Sequence, residues 1–316
     1  MEKRALGKTG IRVSEVAFGG VEIGMPYGIG VHGREDMLPE QDAIRLLHAA
    51  VDGGINFFDT ARLYGNSEEI MGRAFHDRRK DVVLATKCRH LHAPGQPLPP
   101  SETLREIIWG SLQESLRALQ TDYVDVFMLH QASAAILDSQ EVAAVFRDIK
   151  RQGICRATGI STYHTTETEQ AVASGDWDVI QLPYNLMDQR QALCFDAAEA
   201  AGVGLVVRSV LLKGILGDRG RRLHPALKDV EVHVGKYAAL QDELPLAEFA
   251  VKFALSSRQV AAVLIGIDKP EYLEATLRTA DGRYLDAAAF AAAKRLSYPN
   301  PAFLDLPAWD RNGWLK

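Results

Sequence analysis

Four residues of different chemistry, Asp59, Tyr64, Lys87 and His130, stand at or just beyond the ends of short apolar runs. Asp59 closes Phe57-Phe58-Asp59 and is followed by Thr60-Ala61-Arg62-Leu63-Tyr64-Gly65. Lys87 closes Ala85-Thr86-Lys87, and His130 closes Met128-Leu129-His130. Singly, each has a plain structural reading: a turn or cap carboxylate, a lysine snorkelling to solvent, a half-buried imidazole. Together they form an acid–base network. A phenol ionises near pH ~10, so it is a weak acid at neutral pH. A neighbouring ammonium favours the phenolate and lowers that value. The set therefore suits delivery of a proton to a carbonyl oxygen while hydride reaches its carbon. In this reading Tyr64 gives the proton, Lys87 tunes it, Asp59 partners Lys87 and His130 orients the carbonyl. Such general acid help is worth about 10²–10⁴ in rate.

These groups need a scaffold that brings strand ends to one mouth. Eight apolar runs qualify as strands: Val16–Gly19, Ile55–Asp59, Val82–Thr86, Tyr123–Leu129, Cys155–Ile160, Val179–Leu182, Gly204–Val207 and Ala262–Ile265. Amphipathic stretches lie between them, among them Glu40–Val51, Ser101–Ala118, Gln140–Lys150 and Leu246–Ser256. Strand–helix alternation repeated eight times predicts an α/β fold, a (β/α)8 TIM barrel, whose reacting groups sit at the C-terminal strand ends. A doubly wound sheet would instead carry a glycine-rich fingerprint after its first strand. The early AFGGVEIGMPYGIG has scattered glycines and no such fingerprint. Arg4–Ser14, with the turn Gly7-Lys8-Thr9-Gly10, reads as an N-terminal hairpin plugging the barrel floor. His90–Pro100 and Leu211–Leu244 read as long loops, the second basic early at Arg219, Arg221 and Arg222 and either folded over an anion or a solvated loop. The tail Tyr298–Lys316 is expected across the surface near the active-site mouth. No linker divides the chain, so residues 1–316 are expected to form a single domain.

The 316 residues carry 36 Lys and Arg against 41 Asp and Glu, a net charge of −5, which disfavours a nucleic-acid surface. No apolar run is long enough to span a bilayer, and the opening residues lack an apolar signal core. Cys88, Cys155 and Cys194 show no CxxC or zinc spacing, so no metal site is expected and the thiols read as reduced, as in a cytoplasmic protein.

The stretches GGINFFDTARLYGNSEEIMG, VVLATK and YVDVFMLH closely resemble three signatures of the aldo-keto reductases, with similarity from Leu6 to about Thr279. The resemblance implies the β/α barrel, a catalytic tetrad at Asp59, Tyr64, Lys87 and His130, and reversible reduction of aldehydes and ketones with NADPH or NADH. It also implies nicotinamide contacts at Ser161, Thr162 and Gln181, with Thr162 standing where asparagine is usual, and an aromatic ring at Tyr184 stacked on the nicotinamide. Ser209, Leu211 and Gly214, with Lys213 as a charge partner, match the pyrophosphate segment. Gly266, Asp268, Lys269, Tyr272 and Thr276 match the segment that holds the adenosine end. Asp268 stands where an arginine or lysine is common in NADPH users, and a carboxylate there favours a ribose 2′-hydroxyl over a phosphate. Lys269 argues the other way, and the choice of cofactor stays open.

For the substrate, the candidates are Met25, Tyr27, Arg89, His90, Gln131 and Trp309. Arg89 meets either an anionic substrate or a carboxylate on the rim. The polar set favours a small polar or sugar-like carbonyl. A redox-sensing subunit that retains the cofactor, and a barrel hydrolase or Schiff-base lyase using Lys87, are the rival readings.

Overall fold

The computed structural model describes residues 1–93 and 95–315. Its eight parallel strands close on themselves, the last, Val260–Gly266, hydrogen-bonded to the first, Val16–Gly19. They are β3 (Val16–Gly19), β4 (Phe57–Asp59), β5 (Val83–Lys87), β6 (Val124–Leu129), β7 (Cys155–Ser161), β8 (Val179–Pro183), β9 (Gly204–Arg208) and β10 (Val260–Gly266). Each of the eight expected runs overlaps one of them, and five of the strands extend one or two residues beyond the expected bounds. The helices Glu40–Asp52, Ser101–Ala118, Gln140–Arg151 and Leu246–Leu255 lie where the amphipathic stretches required. A chain with this alternation has no sheet edge to protect once the eighth strand meets the first.

Side chains alternate across each strand, so every second residue enters the barrel. Phe57, Val83, Ala85, Val126, Ala157, Val179 and Val206 share the inner cluster. Phe58, Leu84, Phe127, Ile160, Ile180 and Val207 belong to the outer cluster, against the helices. The same count carries Asp59, Lys87, Ser161, Gln181 and Arg208 to the inner side at the C-terminal ends.

The N-terminal hairpin closes the other end. The strands β1 (Lys3–Ala5) and β2 (Arg12–Ser14) pair antiparallel, and Leu6, Ile11 and Val13 join the inner cluster. Lys8 N donates to Gly202 O at 2.9 Å. Gly7 has φ +56°, and a Cβ there would lie 2.4 Å from Gly202 O, so glycine is required on both conformation and space.

Two segments differ from their sequence reading. Leu211–Leu244 is not a solvated loop: it contains the helix Lys228–Gly235 and buries Leu216, Leu227, Val230 and Tyr237. Its apolar spacing is too short and broken to stand out as a helix beside so many charges. The tail forms the helix Leu306–Arg311 and buries Trp309 against Phe303, with ring centroids 5.5 Å apart. Pro94 of the His90–Pro100 segment and Lys316 of the tail lie outside the described residues.

The floor contact is testable. Gly7→Ala should cost roughly 1–3 kcal/mol from strain alone, read as a lower urea midpoint at unchanged slope. An unchanged midpoint would show the hairpin turn to be independent of the barrel.

Candidate active site

The strand ends surround a cavity of about 850 Å³, within the range of small-molecule and cofactor sites. Behind its inner wall the Lys87 side chain is fully buried. Its Nζ donates to Asp59 Oδ1 at 2.8 Å, Asp59 Oδ2 at 2.6 Å and Thr60 O at 3.0 Å. Gln181 Nε2 donates to Asp59 Oδ1 at 2.9 Å. Lys87 Nζ lies 4.9 Å from the Tyr64 ring centroid, and the Tyr64 and His130 rings meet edge-on at 5.2 Å. Asp59, Tyr64, Lys87 and His130 are thus assembled as one cluster.

The Tyr64 loop is clamped from both sides. Arg62 N donates to Lys87 O at 3.1 Å, and Asn66 N to Gly24 O at 3.3 Å. Gly65 has φ +57°, and a Cβ there would lie 2.1 Å from Gly24 O, so only glycine lets the phenol loop pack on the segment after β3.

The electrostatics correct one expectation. Any lowering of the Tyr64 value by Lys87 is outweighed: burial pushes that phenol well above its ordinary value, and the Asp59 charge adds to the rise. The ammonium is neutralised by the carboxylate it touches. Burial also pulls Lys87 down, against the opposing pull of Asp59. His130 is held well below its ordinary value by burial, then by the Lys87 and His90 charges. Its Nδ1 is buried without a partner. At neutral pH the site therefore presents a protonated phenol and a neutral imidazole, both suited to hydrogen-bond a carbonyl oxygen.

Ser161, Gln181, Ser209, Leu211, Gly214, Gly266, Asp268, Tyr272 and Thr276 all line the cavity. Ser209, Leu212 and Lys213 are non-glycine residues in the left-handed region, φ +58°, +47° and +56°. Strained backbone of this kind concentrates at functional sites. Hydroxyl and amide groups at Ser161 and Gln181, with Arg219, Arg221 and Arg278 further along, give a donor set that fits a nicotinamide dinucleotide.

Other candidates fall elsewhere. Thr162 points out of the barrel, its Oγ1 2.7 Å from Thr168 Oγ1, because it is one residue past inward-facing Ser161. Tyr184 is buried against Phe195 and Phe253, at centroid distances of 5.0 and 5.4 Å, and cannot stack on a ligand in the cavity. Lys269 is exposed outside the lining, its Nζ 5.5 Å from the Tyr272 ring. Of the substrate candidates Tyr27 lines the cavity. Arg89 is on the rim, paired with Glu114 at 2.6 Å. Gln131 ties down the neighbouring loop, accepting from Leu91 N at 2.9 Å. His90 is exposed and reaches the site only through its ring edge, 5.4 Å from His130. Met25 and Trp309 do not line the cavity.

Among the lining residues that escape the sequence reading are Glu22, Tyr163 and Arg208. For Arg208 a signal existed, since it stands two residues after inward-facing Val206. Glu22 and Tyr163 lie outside strands, where no period indicates direction.

Comparison with known proteins follows the same outline. The Aldo/keto reductase family model matches residues 16–297. The L-galactose dehydrogenase of Arabidopsis thaliana is 29% identical over 290 residues, covering 87% of this chain and 86% of its own. An uncharacterized oxidoreductase of Bacillus subtilis, YqkF, is 27% identical over 299 residues, covering 90% and 93%. Among solved structures, the holo form of aldo-keto reductase AKR11C1 from Bacillus halodurans superposes with a TM-score of 0.78 at 27% identity, covering 94% of this chain and 96% of that one.

Glu22 makes the site pH-sensitive. Burial raises its carboxyl from 4.5 to about 8, with the Asp268 and Asp59 charges adding and Arg219 opposing. The folded state thus holds this proton more tightly than the unfolded chain. The Glu22 contribution to stability is complete below 4.5 and is lost as pH rises through about 8. Glu22→Gln should flatten that part of the profile of melting temperature against pH. An unchanged slope would mean that the carboxyl ionises without penalty.

Proposed function

The chain belongs to the aldo/keto reductase family, an oxidoreductase family that reduces carbonyls with NAD(P)H, and from that premise we propose that it reduces a small polar or sugar-like aldehyde or ketone to an alcohol, reversibly, with Tyr64 as proton donor. The reading rests on one observation above all: a protonated phenol and a neutral imidazole face one cavity with the buried Lys87–Asp59 pair behind them. The name of the L-galactose dehydrogenase relative supports the sugar-like part. Residues 1–316 would act as one barrel domain, and the three free buried cysteines accord with a cytoplasmic setting.

The cofactor, when bound, supplies the hydride. Gln181 and Ser161 would hold its carboxamide. Ser209, Leu211 and Gly214 would hold the pyrophosphate, and Asp268, Tyr272 and Thr276 the adenosine end. The carbonyl oxygen would sit between Tyr64 and His130. Tyr64 gives its proton as negative charge grows on that oxygen, and His130 fixes its direction. Lys87, held by both oxygens of Asp59, stabilises the phenolate left on Tyr64. In oxidation the phenolate takes the proton back.

Between the two dinucleotides, NADPH is the better match. Asp268, the carboxylate that would repel a 2′-phosphate, is paired with Arg219 at 3.6 Å, and Arg221 and Arg278 line the same cavity. Quenching of intrinsic fluorescence should therefore give a lower Kd for NADPH than for NADH, and Arg219→Ala should narrow the gap. Tighter NADH binding would return the decision to Asp268.

Tyr64→Phe should lower kcat by about 10²–10⁴ while leaving the Kd for NADPH within a few-fold of the parent. Full turnover in that variant would remove Tyr64 from the mechanism.

A further inference from the structure

Among the described residues, the cation at the end of β9 has no counter-charge. Arg62, Arg79, Arg89, Arg156, Arg190 and Arg219 each have a carboxylate within 4.0 Å; among the described residues Arg208 has none. Yet it is held in place. Its Nη2 donates to Thr162 O at 2.9 Å, and its Nη1 reaches Ser209 Oγ at 3.4 Å. Its guanidinium carbon stands 4.1 Å from the Tyr163 ring centroid. Guanidinium presents five N–H donors in a planar fork, and these contacts leave several of them free. It is half-buried in the cavity wall. Asp59, a carboxylate lining the same cavity, is engaged by Lys87 and Gln181.

A fixed, half-buried and unpaired guanidinium is a receptor for an oxyanion. Two oxyanions come within reach of this cavity: a carboxylate on the substrate and the pyrophosphate of the cofactor. Position favours the first. Arg208 projects to the inner side, and its charge is close enough to act on Tyr64, Lys87 and His130, the groups that surround the reacting carbonyl. The pyrophosphate candidates begin one residue later along the chain, and the first of them, Ser209, touches one edge of the fork. We propose that Arg208 binds a substrate carboxylate, so that the preferred substrates are carbonyl compounds that also carry a carboxylate, such as short oxo acids or sugar acids. This narrows the proposed reductase activity and rests on it.

The test compares matched probes at saturating NADPH: 4-oxobutanoate against its methyl ester, and D-glucuronate against D-glucose. A charge-assisted bond of this kind predicts kcat/KM higher for the carboxylates by roughly tenfold to a hundredfold. Arg208→Gln should bring each ratio close to one, and Arg208→Lys, which keeps the charge without the fork, should restore part of it. A preference that survives Arg208→Gln overturns the proposal. So does a ratio near one in the parent protein, which leaves the reductase reading standing. If Arg208→Gln weakens NADPH binding by fluorescence titration while the substrate ratios hold, the oxyanion is the pyrophosphate and the proposal fails. If no probe, charged or neutral, is reduced, the proposed function falls and this inference falls with it.

Discussion

An ammonium with no solvent exposure sits at the mouth of this barrel, and its burial is tolerable only because of what surrounds it. Lys87 Nζ meets both oxygens of Asp59 and the carbonyl of Thr60. Asp59 in turn accepts from Gln181. Desolvating two charges costs several kcal/mol each, and removing one partner of such a pair typically costs about 3–5 kcal/mol. The pair joins the ends of β4 and β5, and Gln181 carries the link across to β8. The mouth is therefore stapled by polar contacts where the floor is sealed by apolar ones. A barrel can hold a polar mouth of this kind because its eight strands secure their own backbone hydrogen bonds below it.

The same pair sets the proton chemistry. Because Lys87 is neutralised by a carboxylate, it does not pull the Tyr64 proton off in the resting site. Burial keeps the phenol protonated and the imidazole neutral. The ammonium's effect is felt when negative charge appears on Tyr64, which is the moment at which a proton has left for substrate. Electrostatic stabilisation of developing charge, with little cost in the ground state, is the efficient use of a buried cation. Arg208 is a further cation of the mouth, and among the described residues it lacks the carboxylate partner that Lys87 has. One positive charge is committed to the protein, the other is open to a ligand.

The walls of the cavity come from segments that differ in character. Strand ends place Asp59, Lys87, Ser161, Gln181 and Arg208 with the precision of the barrel register. The segment after β9 contributes strained left-handed residues and the Arg219–Asp268 pair, which bridges it to the end of β10. Arg219 also donates to Ile29 O at 3.0 Å, so the loops after β3, β9 and β10 meet at one guanidinium. These contacts make the long segment after β9 a wall of the site.

Much of this was legible in the sequence, because the signals were local. Strand–helix alternation and apolar runs located all eight barrel strands. The hairpin turn at Gly7–Gly10 and the cluster at Asp59, Tyr64, Lys87 and His130 were readable from residue type and position at strand ends. Direction was harder. Thr162 and Tyr184 were chosen by resemblance, and each faces away from the cavity, since one step along or past a strand reverses the side a residue faces. Arg208 was within reach by counting from Val206, yet its significance was not, because the absence of a carboxylate partner is a property of every chain segment that folds around it. Nor does the spacing of Tyr64 and Lys87 disclose which way the phenol shifts. That depends on the sum of burial and all nearby charges, and Asp59 cancels the nearest one only once the barrel has closed. The sequence by itself determined the fold and the chemical groups of the mouth, because periodicity and residue type are carried by the chain locally. Which groups face one another, which charges are spent and which stay open were decided by the tertiary structure, because long-range contacts set burial and pairing.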